Sequence, residues 1–440
     1  MQPINQIHKD LLQMRKKTLW LLLALLILSG TMLTSCVKED NTGEPIVEPE
    51  QSLPAARITK TIRKDEAKAT VFNIEYPSVD AFGKPCTLSG VIIVGDEVDT
   101  DNKQARGMVL YNHFTVFRKD QCPSLGDLGI PLKVVGSKLI CVAPDYYGFG
   151  VTGDKDQGYC IPSANAQGSI DCLLAARTLL KEKGYSWGDF LFNLGYSEGG
   201  QTAMGVIRLC AEKYKDIKIT HSVCGAGPYD IGETYRQLVS SGETTMPSTV
   251  ISTLLSYNEF FKLGVHNTEL FQEPTLSNIP VYLLSKDYSR GELEGKLAPN
   301  KIADWIQPIL LDFKSDLSLK FMDVFEKENQ SKGWKPLGTE RINLVHNTLD
   351  GCVPYANTPQ MIEFFKQNGF KFTEYSKGEK CPYTDGNIYL TAVTLPALSD
   401  KMDTHETGAI PFITDLIQVI CHYLQIAPWF TFSPGELGGV

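Results

Sequence analysis

The sequence lacks the short metal and redox signatures. No C-x-x-C pair and no H-E-x-x-H occurs in its 440 residues, so neither a metal nor any other cofactor is expected. It lacks a basic run beyond its N-terminus. With 42 lysines and arginines against 51 acidic residues the formal charge is −9, and no nucleic-acid partner is expected. It lacks internal repeats and low-complexity tracts, so a solenoid or propeller is not the expected architecture. Histidine is scarce, at seven residues, which makes each candidate for proton transfer easy to weigh.

It also lacks an apolar run long enough to cross a membrane comfortably, which takes roughly 20 residues. Leu19 to Leu28 is almost wholly apolar but shorter, and Lys9, Arg15, Lys16 and Lys17 precede it. Leu33-Thr34-Ser35-Cys36 follows. A positive segment, an apolar segment and small residues in that order predict a secretory signal over residues 1–35. Residues 36–57 are polar and aperiodic and predict a flexible tether. Removing residues 1–35 takes away four basic residues and one acidic one and moves the net charge from −9 to −12. Such a surface would not hold anionic lipid by charge, so attachment would rest on acyl chains.

Ten cysteines remain beyond Cys36. Cys141 and Cys224 lie in apolar strand-like runs and Cys172, Cys210 and Cys421 in helical ones, which reads as buried free thiols. Cys86, Cys122, Cys160, Cys352 and Cys381 lie near turns and could pair in an oxidising compartment.

From about residue 58 the pattern is that of one domain running to residue 440. Ala69–Tyr76 and Cys86–Val94 alternate like strands. Buried-strand runs recur at 107–111, 139–143, 190–194, 219–224, 341–345 and 370–375. Helical spacing occupies 164–183, 199–214, 357–368 and 408–424. This alternation predicts an α/β class, a mostly parallel sheet covered by helices on both faces. The segment from about 231 to 335 breaks the rhythm with helical spacing and predicts an inserted helical cap. Val281–Leu284 is read as part of that cap.

The chemistry centres on Gly195-Tyr196-Ser197-Glu198-Gly199. A serine between two glycines, directly after a buried strand and before a helix, is the nucleophile-elbow pattern. The glycines allow a strained turn that lifts the hydroxyl above the sheet edge. A nucleophilic serine needs a base, and the base an orienting acid, in the chain order serine, acid, histidine. His113, His221, His266 and His346 precede the candidate acids, and His422 lies inside the last helix. His405 remains, in Asp403-Thr404-His405-Glu406. Asp350 is the expected acid, at the carboxyl end of the 341–345 strand. Asp403, only two residues from His405, is the competitor. The oxyanion donors are expected to be the N–H of Glu198 and that of Phe114 or Thr115, in the loop after the third strand.

Taken together these motifs resemble the α/β-hydrolase superfamily, in its secretory lipase and esterase-like branch. Ala143-Pro144-Asp145-Tyr146-Tyr147-Gly148-Phe149-Gly150, the Asp171–Arg177 stretch, Asn329–Pro336 and Asp350-Gly351-Cys352-Val353-Pro354-Tyr355-Ala356-Asn357 carry the resemblance, which covers roughly residues 60–425. The 33–36 stretch resembles a lipobox of Bacteroidota-type lipoproteins, which implies that Cys36 carries lipid. Two positions depart from the family pattern: His113-Phe114 stands after the third strand, where the family usually has His-Gly, and His346-Asn347 after the acid strand, where it often has His-Gly or His-Ser.

The resemblance implies a serine hydrolase of carboxylic esters, with a small-molecule, lipid or glycan ester as substrate and a lipid anchor in the cell envelope. Two alternatives share much of the pattern. A prolyl-oligopeptidase-type peptidase or aminopeptidase would use the same triad, with Glu269 or Glu292 binding the substrate amine. A non-catalytic binding protein on this fold is the other.

Overall fold

A computed structural model describes residues 53–126, 128–374, 383, 386–397 and 402–428. The expected signal, nearly all of the tether, Cys36 and Cys381 lie outside the described residues. Ten strands form one sheet in the order β1-β2-β3-β5-β4-β6-β7-β8-β10-β9. Strands β1 (Arg57–Lys64), β2 (Ala69–Val79) and β3 (Pro85–Gly95) make an antiparallel meander at one edge. Strands β4 (Gln104–Asn112), β5 (Leu139–Pro144), β6 (Ser186–Tyr196), β7 (His221–Gly225), β8 (Ile342–Asn347), β9 (Lys371–Glu374) and β10 (Asn387–Val393) pair in parallel. The near-continuous apolar character of β4 to β8 follows from this: a parallel strand with helices on both faces has no polar side to show.

The major helices are α1 (Pro162–Glu182), α2 (Glu198–Glu212), α3 (Ile231–Ser241), α4 (Pro247–Phe260), α5 (Arg290–Leu293), α6 (Asp316–Lys327), α7 (Asn357–Gln367), α8 (Thr404–Thr407) and α9 (Ala409–Leu424). Helix α9 packs with the 128–135 segment on one face of the sheet, through Phe412, Leu416 and Val419. Helices α1, α2 and α7 cover the other face. The chain therefore has the mostly parallel, doubly covered sheet that its sequence predicts.

Between β7 and β8, helices α3 to α6 and several single turns enclose a core of their own. Trp305, Tyr257, Phe271, Phe321 and Phe325 are fully buried in it. Val281 falls in a π-helical turn, Ile279–Leu283, within this insertion.

The structure departs from the sequence reading in several places. Strands β1 (Arg57–Lys64) and β10 (Asn387–Val393) are not among the runs read from the sequence. Cys86, Cys122, Cys160 and Cys352, read as possible partners, are free thiols, as are the others among the described residues. Cys421, read as buried, is only half-buried, because it sits on the flank of α9 away from the sheet.

Candidate active site

Strand β6 ends at Tyr196, and α2 begins at Glu198. Ser197 alone makes the connection, with φ 58° and ψ −125°. A non-glycine residue in that region is under strain and must be held by its surroundings. The Ser197 N–H donates to the Gly225 carbonyl at 2.8 Å, and the Ser197 carbonyl accepts the first helical bond, from Gln201 N at 3.0 Å. The flanking glycines allow the close crossing. A Cβ on Gly195 would collide with the Gly199 carbonyl, and one on Gly199 with the Asn112 carbonyl.

Three side chains from separate elements meet at the carboxyl edge of the sheet. Ser197 Oγ lies 3.0 Å from His405 Nε2. His405 Nδ1 lies 2.6 Å from Asp350 Oδ2. An ionised carboxylate only accepts, so Nδ1 carries the ring proton and Nε2 is left to accept from the serine hydroxyl. All three residues are buried.

Asp350 stands in the turn after β8. Its Oδ1 accepts from the N–H groups of Cys352 (2.9 Å) and Val353 (2.8 Å). Burial alone would raise its pKa, but the charge and hydrogen bonds of His405 and His346 outweigh burial and hold the carboxyl below its ordinary value. His346 is a partner that sequence order set aside. Its Nε2 is 3.4 Å from Asp350 Oδ2 and 2.9 Å from the Val353 carbonyl, and its Nδ1 is 2.7 Å from Thr358 Oγ1. The ring thus braces the acid turn from beneath. The signal was visible, as a histidine at a position where the resembled family also carries one, but its reach to i+4 shows only in the fold.

His405 belongs to α8, a helix of four residues. Asp403 caps that helix, accepting from the N–H groups of His405 and Glu406, each at 2.9 Å. The competitor acid is therefore engaged with backbone, not with the imidazole. Tyr196 Oη donates to the His405 carbonyl at 2.5 Å, and Asn347 Nδ2 donates to the Thr404 carbonyl at 2.7 Å. Asn347, one of the two departures from the family pattern, thus ties the acid strand to the histidine helix.

The Glu198 N–H, on the first residue of α2, stands ahead of the first helical bond and has no partner within the helix. The Glu198 side chain is turned elsewhere. Its Oε1 accepts from Cys160 N at 3.2 Å and Asn165 Nδ2 at 3.3 Å, and its Oε2 is buried without a partner. Burial pushes this carboxyl up to about 8. Phe114 and Thr115 lie in the loop after β4, and Thr115 Oγ1 is 3.0 Å from Tyr159 Oη. Next to them His113 is buried, its ring stacked on Tyr146 with centroids 4.0 Å apart.

Ser197 opens into a cavity of about 460 Å³, measured out to its mouth. Ile231, Tyr235 and Leu238 of α3 and Val250 of α4 give it an apolar wall, with Cys160 and Cys352 nearer the serine. The Tyr235 hydroxyl is turned away to the Leu310 carbonyl, 3.1 Å, so its ring faces the cavity without an unpaired polar atom. A larger cavity, about 800 Å³, shares only Tyr159 with the first and does not include Ser197. Phe260, Phe261 and Trp305 belong to the core of the insertion and line neither cavity. Glu269 and Glu292 also lie away from the serine cavity. Each closes a capping box on a short helix, and Glu292 pairs with Arg118. Among the described residues no cluster of histidine, cysteine and acidic groups has the arrangement of a metal site.

No protein-family model and no curated protein matches the chain. Solved structures do. The rice cell wall degrading esterase LipA from Xanthomonas oryzae superposes with a TM-score of 0.66 at 19% identity, over 84% of this chain and 97% of its own. A Legionella pneumophila protein gives 0.65 at 18% identity, over 86% and 99%. Candida antarctica lipase A gives 0.58 at 12% identity, over 88% of both chains. The fold is that of the α/β-hydrolases.

Proposed function

We propose that this protein is a serine hydrolase of carboxylic esters. The observation that carries the reading is the hydrogen-bonded chain from Ser197 through His405 to Asp350, at the mouth of an apolar cavity. Ser197 Oγ attacks the acyl carbon while His405 Nε2 takes its proton. The imidazolium then gives that proton to the departing alcohol, and Asp350 holds the ring and offsets its charge. Water repeats the sequence in reverse and releases the acid. The N–H of Glu198, with that of Phe114 or Thr115, stabilises the tetrahedral oxyanion. The acyl group occupies the cavity between α3 and α4.

The named esterase and lipase among the structural relatives agree with an ester substrate. The peptidase alternative gains nothing from the site, because both acidic residues considered for binding an amine are committed to helix caps. For localisation we propose a lipid-anchored envelope protein, with Cys36 as the acylated residue. The test of that part is metabolic labelling with a radioactive fatty acid, which Cys36→Ser must abolish.

The deciding experiment compares wild type with Ser197→Ala on p-nitrophenyl esters from acetate to palmitate, beside aminoacyl p-nitroanilides. Serine-dependent ester turnover with a chain-length optimum is expected. Efficient anilide cleavage with poor ester turnover would move the assignment to a peptidase. A fluorophosphonate probe should label wild type and not Ser197→Ala.

A further inference from the structure

A helix of four residues cannot hold itself. One turn of helix fixes several residues for a single hydrogen bond and is unfavourable alone. Helix α8, which carries His405, is such a turn; its C-terminal end runs through Gly408, itself in a helical conformation, into α9, so what is left for side-chain clamps to fix is its N-terminal end, where the capping box surrounds His405. Most of the clamps come from the sheet body: Tyr196 Oη, Asn347 Nδ2 and the Gly351 N–H, which donates to Thr404 Oγ1 at 3.0 Å. One comes from the helical insertion. The Arg290 guanidinium, at the start of α5, donates to Glu406 Oε1, and its other terminal nitrogen lies 3.9 Å from Asp403 Oδ2.

Asp403 and Glu406 are the two halves of the capping box of α8. Asp403 accepts from the N–H groups of His405 and Glu406, and Glu406 Oε2 accepts in return from Asp403 N at 3.0 Å. His405 sits between them. The Glu406 side chain is only 5% exposed and Arg290 16%. A carboxylate that far from water needs a cation, and removing one partner leaves an uncompensated buried charge. Without Arg290, Glu406 must take up a proton or swing to solvent, and the second course opens the box around His405. Glu294 also faces Arg290, but burial pushes its carboxyl up to about 7, and Ser248 already donates to it.

We propose that Arg290 is a positioning residue for His405, so that the seating of the helical insertion on the body completes the clamp that holds the base in place. This rests on the reading of His405 as the general base. The insertion is then more than a pocket wall, since its displacement withdraws the counter-charge of the helix that bears the imidazole.

The test uses the full chain and four variants: Arg290→Met, Arg290→Lys, Glu406→Gln and the Arg290→Met/Glu406→Gln double. Two readouts do not depend on the ester assignment, namely the rate of inactivation by a fluorophosphonate and hydrogen exchange over residues 403–408. Arg290→Met should slow inactivation about 10- to 100-fold, the loss that a small misplacement of a catalytic group produces. It should speed exchange over 403–408 and, on a turned-over ester, lower kcat with KM little changed. Arg290→Lys should recover part of the loss. The double variant should be no worse than the poorer single, because both act through one contact. A folded Arg290→Met with wild-type inactivation and exchange would overturn the proposal, as would losses that multiply in the double. If wild type is labelled at Ser197 but cleaves no ester, the ester assignment fails and the clasp is still decided by these rates. If wild type is not labelled, unchanged exchange over 403–408 in Arg290→Met overturns it.

Discussion

The Asp350 carboxylate faces two imidazoles and two backbone N–H groups at once, while Asp403 caps the backbone of α8 and faces Arg290 at 3.9 Å, with no bond to the imidazole. The two acids should therefore part company on mutation. Asp350→Asn should lower turnover about 10⁴-fold, the scale for a lost orienting carboxylate. Asp403→Asn, which keeps a capping oxygen, should change turnover far less; the opposite ranking in steady-state kinetics would move the acid to Asp403. Glu198 gives a second contrast, with pH. Its carboxyl titrates near 8 in the folded chain against 4.5 ordinarily. The folded state then holds an extra proton between those values, and the stability it contributes in acid is lost as the pH rises through 8. Glu198→Gln removes that dependence, so its melting temperature should gain on wild type between about pH 5 and pH 9. A constant gap over that range would mean the carboxyl ionises as it does in the unfolded chain. Ser197 was legible because its glycines have a steric purpose, and His405 because few histidines competed. His346 was not, because its part lies in a contact that only the turn after β8 creates.

Among the elements, the elbow is the most constrained. Gly195→Ala would drive a methyl group into the Gly199 carbonyl, which neither backbone can avoid without moving Ser197. Soluble yield or melting temperature should fall sharply and fluorophosphonate labelling with it; a stable, fully labelled variant would show that the elbow can relax. Helices α3 and α4 should set acyl length. Leu238→Trp fills part of the cavity beside Tyr235 and should shift the optimum of the p-nitrophenyl series to shorter chains. An unmoved optimum would place the acyl group elsewhere, with the cavity beyond Tyr159 the next candidate. The apolar strands and long amphipathic helices could be read from periodicity, since both periods are fixed by backbone geometry. Strand β10 escaped because the apolar block in Asn387–Val393, Ile388-Tyr389-Leu390, is only three residues long, and its pairing with β8 and β9 is a tertiary choice.

At the scale of the whole molecule, the sheet draws its cohesion from packing rather than covalent staples. All nine described cysteines beyond the N-terminal segment are free, and seven are buried. A reductant should therefore leave the melting temperature unchanged in a thermal scan; a drop of several degrees would reveal a bridge through Cys381 or another residue outside those described. Fold class was legible here because alternating strands and helices admit few arrangements. Which face of the insertion meets the body was not, because Arg290 and Glu406 are 116 residues apart and nothing local links them. Long stretches of sequence also separate the parts of the site: Ser197 and His405 are 208 positions apart, and Asp350 and His405 are 55 apart. A chain that stops short of His405 cannot bring them together. Turnover per molecule should accordingly count fully assembled chains, and a polypeptide still on the ribosome, its last third unmade, should be chemically silent toward the cell that makes it.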